Sequence, residues 1–130
     1  MTEVEHGAMK DLKIGKYVMI DDVPCRVVGI EVSAPGKHGA AKMRVTAIGI
    51  FDGTKRTLLK PSDADIQIPI IERKRGQIVT LMGEVAQVMD LTSFETFEMT
   101  IPEDLRAEAG AGKEVEYMET MGKKMITRIS

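Results

Sequence analysis

The sequence has little aromatic surface and a single thiol. Among its 130 residues there is no tryptophan, and aromatic residues make up only 4%. Flat rings on which bases could stack are therefore scarce. Cys25 is the only cysteine, so the chain cannot form an internal disulfide and offers no C-x-x-C pair to a zinc ion. These absences exclude a disulfide-stapled scaffold, and no metal site is predicted.

Long apolar segments are also missing. No stretch approaches the ~18 consecutive apolar residues that a membrane-spanning helix requires. The first ten residues contain Glu3 and Glu5 and lack the basic and apolar regions of a secretory signal. We therefore expect an intracellular, cytoplasmic protein without a membrane partner.

Charge is nearly balanced over the chain but unevenly placed. Residues 1–70 carry 10 basic and 9 acidic side chains, a net +1, whereas residues 71–130 carry 8 and 11, a net -3. No carboxylate occurs between Val32 and Phe51, although Lys37, Lys42 and Arg44 all fall there. This local positive charge predicts an anionic partner for that edge of the molecule.

Short β-branched segments separated by turn residues dominate what the sequence does contain. Hydrophobic residues make up 43% and charged residues 29%, which is typical of a globular protein. Strand-like segments bounded by Gly, Pro or Asp predict an all-β fold of barrel or sandwich type, and Asp52-Gly53 is typical of a hairpin turn. In the first half these segments are residues 16–20, 25–32, 41–51, 56–60 and 65–71.

The second half predicts a five-stranded barrel. The charged segment ERKRGQ (72–77) is interpreted as an exposed connector between a domain of residues 1–71 and a domain of residues 72–130. One short helix is expected before the last two strands, because Thr100-x-x-Glu103 resembles a capping box and Pro102 suits a first helical turn. Gly110 and Gly112 would end it. The strand-like segments of this half are residues 77–82, 84–91, 94–101, 113–121 and 123–129. Three strands, a helix and two strands is the order of an OB-fold barrel.

The segment SAPGKHGAAK raises the main functional question. Its tip, Ser33–Gly39, is longer than a hairpin requires, and long loops between good strands are often functional. A phosphate-binding P-loop does not fit, because Glu31 occupies the leading glycine position and His38 the Ser/Thr position. Two interpretations remain open: an ordinary turn with a solvated Lys37, or a loop whose glycines display the Lys37 amine to another macromolecule.

The residues around this segment also carry a family resemblance. PCRVVGIEVSAPGKHGAAK (24–42) resembles the hypusine-bearing segment of the translation initiation factor 5A family of archaea and eukaryotes, a relative of bacterial elongation factor P. The likeness extends to GIFDGTK (49–55) and IPEDL (101–105), and the short C-terminal half resembles the archaeal branch. Eukaryotic members usually have a histidine where this chain has Ala40, so no role of that imidazole is carried over.

The resemblance implies a fold and a function. It implies an N-terminal SH3-like barrel, a C-terminal OB-fold barrel with one short helix, and a translation factor instead of an enzyme. Deoxyhypusine synthase would transfer an aminobutyl group from spermidine to Lys37, giving deoxyhypusine or, after hydroxylation, hypusine; no other cofactor is expected. On the ribosome, beside the peptidyl-tRNA, the modified side chain would promote peptide-bond formation at slow or stalled sites such as polyproline.

Residues beside Lys37 are expected to support this role. The shape of the loop is expected to depend on Pro35, Gly36 and Gly39. His38 is either a contact to phosphate or to the modifying enzyme, or a solvated loop residue. Lys42 and Arg44 are two apart on a predicted strand and therefore share one face, where they are candidates for RNA contact.

The alternative function is a general RNA-binding or RNA-chaperone module. It would use the same basic edge and the OB half, although that half carries net negative charge. The spacing of Phe94 and Phe97 places the two rings on opposite faces of a strand, and the basic residues 73–75 are most simply solvated. No catalytic residues are predicted, since the chain offers no paired carboxylates and no Ser/His/Asp or Cys/His arrangement. His6 is expected in a loose terminus.

Overall fold

The computed structural model describes residues 3–33 and 41–130 of the chain. Regular structure among them is almost entirely β, which confirms the predicted all-β fold class, and the chain divides into two compact units between Ile70 and Ile71. In the described part of the chain, no helix has the length and apolar character needed to cross a bilayer. The strands are β1 (Val4–Ala8), β2 (Tyr17–Ile20), β3 (Val23–Ser33), β4 (Lys42–Gly49), β5 (Lys55–Pro61), β6 (Asp65–Pro69), β7 (Glu72–Met82), β8 (Val85–Asp90), β9 (Thr96–Thr100), β10 (Glu114–Thr120) and β11 (Lys123–Ile129).

The first unit contains two antiparallel sheets that share one core. Strands β2, β3, β4 and β5 form a four-stranded sheet in chain order, and β1 pairs with β6. A 3-10 turn, Met9–Asp11, connects β1 to β2 and contributes a fully buried methionine. The buried apolar side chains of this unit are Met9, Leu12, Val18, Ile20, Cys25, Val27, Met43, Val45, Ala47 and Ile66.

The second unit is a closed barrel of five strands. Its strands are hydrogen-bonded in the order β7, β8, β9, β11, β10 and back to β7. All neighbours are antiparallel except β9 and β11, which are parallel and meet at Thr100 and Met125. This is the strand order of an OB-fold, as predicted. The barrel interior is filled by Ile78, Ala86, Val88, Met99, Ile101, Val115, Tyr117 and Ile126.

Tight turns join the antiparallel neighbours where the sequence predicts them. Asp52-Gly53 lies between β4 and β5, with Gly53 at φ +67°, and the Asp52 carboxylate accepts a hydrogen bond from the Thr54 amide at 3.0 Å. Asp21 and Asp22 both have positive φ in the turn between β2 and β3. Two successive residues with positive φ characterise the two-residue turn whose twist matches that of the flanking strands.

The prediction that residues 72–77 form an exposed connector is wrong. These residues begin β7 and pair with β10, with Glu72 opposite Glu119 and Gln77 opposite Glu114. Their charges are matched by acids on β10: Lys74 lies 2.8 Å from Glu119. A charged segment can be a strand when its side chains lie outside a barrel, so composition alone misidentified this one.

The predicted helix is present in a shorter form. It is a 3-10 helix, Glu103–Glu108, that begins after Pro102 without a side-chain cap. Thr100 is the last residue of β9 and does not cap the helix, since the capping position is occupied by Pro102. Ile101, between Thr100 and Pro102, is buried in the core. The helix ends at Glu108, ahead of the predicted glycines.

The N-terminal segment is also more ordered than predicted. Residues Val4–Ala8 form β1, in which His6 is paired with Gln67 of β6. The expectation of a loose terminus is therefore wrong for His6. The five residues of β1 show no regular alternation of buried and exposed positions and give a weak strand signal in the sequence, and the partner strand lies about sixty residues further along the chain.

A buried polar pair connects two strands across the barrel. The Tyr117 hydroxyl on β10 donates a hydrogen bond to the Asp90 carboxylate at the end of β8, and both side chains are almost completely buried. The same carboxylate accepts the amides of Thr92 and Ser93 at 2.8 Å each, which fixes the turn that leads into β9. Hydrogen bonds from Tyr117 and from these amides lower the pKa of Asp90 to about 2. Burial, followed by the contact with Asp90, raises the pKa of Tyr117.

Replacing Gly76 by alanine should destabilise the second unit. A Cβ at Gly76 would lie 2.4 Å from Val88 Cγ1 and 2.9 Å from the Met89 carbonyl oxygen, so the barrel wall must shift. We expect Gly76→Ala to lower the free energy of unfolding by about 1–3 kcal/mol, measured by urea denaturation. Gly110→Ala is the matched control, since its Cβ would have only one neighbour, Lys113 Cγ, at 3.8 Å. Equal stability of the two variants would contradict this packing.

Tyr117→Phe should destabilise the barrel in a pH-dependent way. The variant loses a hydrogen bond to a charged acceptor, which typically contributes about 1.5–3 kcal/mol. Because the folded-state pKa of Asp90 is depressed, this stabilisation is fully present above the ordinary carboxyl pKa of about 4 and is lost as the pH falls toward 2. Urea titrations of both proteins at several pH values should show a constant difference at neutral pH that shrinks in acid. A difference that does not change with pH would show that the Tyr117 hydroxyl does not stabilise the barrel through the charged form of Asp90.

Candidate functional site

The loop that carries the predicted site lies outside the described residues. Pro35, Gly36, Lys37, His38 and Gly39 all fall in this segment, so their predicted roles stay predictions. What the structure does describe is the strand pair from which the loop departs and to which it returns. That strand pair determines where the loop begins and ends.

Strands β3 and β4 remain paired up to the loop. Their register runs from Cys25 opposite Gly49 to Ser33 opposite Lys42, the last residues of the two strands on that side. On the other flank, Lys42 is paired with Pro61 of β5, and the Ser62 amide donates a 2.7 Å hydrogen bond to the Ala41 carbonyl. The returning arm is thus held by both of its neighbours, and the loop starts from a fixed base.

Lys42 and Arg44 lie on the outer face of this sheet. Both side chains are exposed, whereas Met43 and Val45, which alternate with them along β4, are buried in the core. The alternation along β4 therefore confirms the prediction that Lys42 and Arg44 share one face. Their cross-strand surroundings differ, because Lys42 is opposite Ser33 while Arg44 is opposite Glu31.

A bulge in β3 brings a further cation onto this face. The register shifts between Val27, which is opposite Ala47, and Gly29, which is opposite Thr46, so Val28 is the additional residue. Without the bulge, Arg26 and Glu31 would point to opposite faces, since they are five residues apart. With it, Arg26 is exposed and opposite Ile48 of β4. The order of apolar and polar residues along β3 gave no sign of the bulge, which changes the face of the sheet on which the following side chains lie.

Lys55 completes the same face from β5. It is exposed and lies opposite Ile48, on the other side from Arg26. Sequence reasoning missed Lys55, although the Asp52-Gly53 turn and the two-residue period of β4 and β5 contained the signal. We call the group Arg26, Lys42, Arg44 and Lys55 the outer cation face.

The charge of this face is largely uncompensated. Among the described residues, none of its four cations has an ion pair or a side-chain hydrogen bond. Glu31 is the single acidic residue paired with one of them in the register of β2 to β5. Arg56, by contrast, lies one residue from Lys55 and binds Asp52 at 2.9 and 3.2 Å, and this contact lowers the pKa of Asp52.

Cysteine and histidine chemistry has no support in the described part of the chain. Cys25 is completely buried, its thiol donates to the Val23 carbonyl, and burial raises its pKa. No group of three or more His, Cys, Asp or Glu side chains that could hold a metal ion occurs among residues 3–33 and 41–130.

The second unit presents a different kind of surface. Phe97 packs against the barrel core and is covered by the Lys124 ammonium, 4.2 Å from the ring centre, whereas Phe94 lies in the preceding turn with φ +63° and is 69% exposed. The two rings therefore form no stacking platform. Several of its cations are paired with acids: Lys74 and Lys124 both bind Glu119.

Comparison with known proteins places these features in a family. Residues 4–64 match the family model described as "Translation initiation factor 5A-like, N-terminal". A protein of Methanocella arvoryzae named "Translation initiation factor 5A" is 52% identical, covering 92% of this chain and 93% of that protein. The Archaeoglobus fulgidus protein of the same name is also 52% identical, over 94% of this chain and 95% of its own.

A solved structure shows the same fold. The structure titled "Eukaryotic translation initiation factor 5A from Methanococcus jannaschii" matches with a TM-score of 0.93 and 45% identity, covering 100% of this chain and 97% of that one. The match includes both units, in agreement with the predicted pairing of an SH3-like with an OB-fold barrel.

Proposed function

Because the chain belongs to the translation initiation factor 5A family, we propose that it acts on the ribosome beside the peptidyl-tRNA, through a modified Lys37. There it promotes peptide-bond formation at slow or stalled sites, for example between prolines. Lys37 carries deoxyhypusine or hypusine, made by deoxyhypusine synthase from the aminobutyl group of spermidine. The observation that most supports this proposal is the β3–β4 pairing, which continues to Ser33 and Lys42 and gives the Lys37 loop a fixed base.

The base of the loop suits a side chain that must be presented to two partners in turn. A modifying enzyme has to surround the Lys37 amine, and the RNA must later receive the lengthened side chain. Both steps require a loop whose ends are held while its tip is accessible. The hydrogen bond from the Ser62 amide to Ala41 and the pairing of Lys42 with Pro61 hold the returning end.

The chemistry proposed for the modified side chain is positioning. Two amines at the end of a long side chain can donate hydrogen bonds to the RNA backbone and hold the acceptor end of the peptidyl-tRNA in a reactive geometry. No protein group has to act as a base or a nucleophile in this scheme. The curated relatives are accordingly named as translation factors and not as enzymes.

One observation favours the alternative function, a general RNA-binding or RNA-chaperone module. The outer cation face offers four positive charges that have no ion pair with any residue the structure describes, and these could bind RNA without any modification of Lys37. Such a module would bind free RNA with a steep dependence on salt and would be insensitive to the state of Lys37. The proposed factor, in contrast, binds tightly only to ribosomes and requires the modification for activity.

Lys37→Arg should abolish the stimulation of polyproline synthesis while leaving the fold intact. Arginine keeps the positive charge but cannot accept the aminobutyl group on a lysine amine, so the second amine is lost. We expect a reconstituted translation assay to show loss of stimulation at every factor concentration.

Intact-mass and peptide-mass measurements on protein from its native cell supply the control. They should show an added aminobutyl or hydroxyaminobutyl group on the peptide that contains Lys37, and none in Lys37→Arg. Full activity of the variant, or an unmodified Lys37 in all native protein, would overturn the proposal.

A further inference from the structure

We propose that the outer cation face is a binding track for the phosphate backbone of RNA, in which Arg26 and Lys55 form a second anchor remote from Lys37. The inference rests on the proposed function, because it takes RNA of the ribosome or its bound tRNA as the partner. It assigns a role to Arg26 and Lys55, which lie outside the loop and were not identified from the sequence motifs.

The geometry places cations at both ends of one sheet face. Lys42 begins β4 beside the loop, and Ile48, near the other end of that strand, is flanked by Arg26 and Lys55. Six residues at about 3.3 Å each separate the Lys42 and Ile48 rows by roughly 20 Å. Arg26 and Lys55 are two strand spacings apart, roughly 10 Å. These dimensions allow contacts to several successive phosphates.

The charges along this face match phosphate better than a protein partner. Arg26 is opposite Tyr17 and Ile48, and Lys55 is opposite Ile48, so neither has an acid across the strand pair. Between the two ends of the face lie Thr46 and Thr57, a cross-strand pair of hydroxyl residues. Arginine, lysine and threonine are common donors to phosphate oxygens.

Binding of this kind would position the factor without reading sequence. Every phosphate neutralised by a lysine or arginine releases counterions, which makes affinity fall as salt rises. A contact about 20 Å from the loop base also restricts rotation of the first unit about Lys37. The track therefore orients the loop toward its target.

The test is the salt dependence of binding to ribosomes that carry peptidyl-tRNA. The full chain with modified Lys37 is compared with the double variant Arg26→Gln/Lys55→Gln. Loss of two phosphate contacts should make the slope of log affinity against log salt shallower by about 1.4 to 1.8. The exchange Arg26→Lys/Lys55→Arg should restore the slope, because a phosphate contact requires charge and not a particular side chain.

The matched control is Lys113→Gln/Arg128→Gln. It removes one lysine and one arginine that are exposed on the second unit, and should leave the slope unchanged. An unchanged slope in Arg26→Gln/Lys55→Gln, or an equal change in the control, would overturn the track. Weaker binding with an unaltered slope would also overturn it and would indicate a protein partner instead.

The outcome is separable from that of the proposed function. If Lys37→Arg retained full activity while Arg26→Gln/Lys55→Gln reduced the slope, the phosphate track would stand and the role of Lys37 would fail. If Lys37→Arg lost activity and the slope were unchanged in Arg26→Gln/Lys55→Gln, the role of Lys37 would stand and the phosphate track would fail.

Discussion

The antiparallel pairing of β3 with β4 determines where the Lys37 loop begins and ends, and on which face of the sheet Arg26, Lys42 and Arg44 lie. It continues without interruption from the bulge at Val28 to Ser33 and Lys42, and β5 pairs along the other side of β4. The loop with Lys37 therefore departs from a three-stranded base. The same pairing directs Lys42 and Arg44 away from the core and, through the bulge, brings Arg26 to their side. The pairing of β3 with β4 therefore fixes both the ends of the loop and the face on which these cations lie.

The two units use charge in different ways. In the second unit, cations on the barrel wall bind neighbouring acids, and Glu119 alone contacts Lys74 and Lys124. Exposed ion pairs of this kind contribute little to stability, but they reduce the net positive charge of the surface on which they lie, so that no strong positive potential develops there. Among the described residues of the first unit, Arg56 is paired with Asp52, whereas the four cations of the outer cation face have no ion pair. An anionic partner is therefore expected to be attracted to the first unit.

Sequence reasoning recovered the architecture but not the parts that depend on distant pairing. Turn chemistry at Asp52-Gly53 and the alternation along β4 are local, so they were predictable. The segment beginning at Glu72 was mistaken for a connector because its partner, β10, lies about forty residues away and alone explains the charges. Arg26 was missed for a related reason, since a bulge is visible only when two strands are aligned. The family resemblance, in contrast, rested on contiguous residues and was confirmed by relatives of 52% identity.

Barrel closure has a consequence for the order in which the nascent chain acquires structure. The first strand of the second unit, β7, pairs with β10, and β10 is connected to β9 only through β11, so the barrel cannot close until residue 129 has been synthesised. The first unit is complete once β6 has paired with β1, at Pro69. Since domains fold as units from the N-terminus during synthesis, the amino-terminal unit is formed while its successor is still an open chain. Its sheet face is thus the earliest folded surface of the molecule to meet a cellular partner.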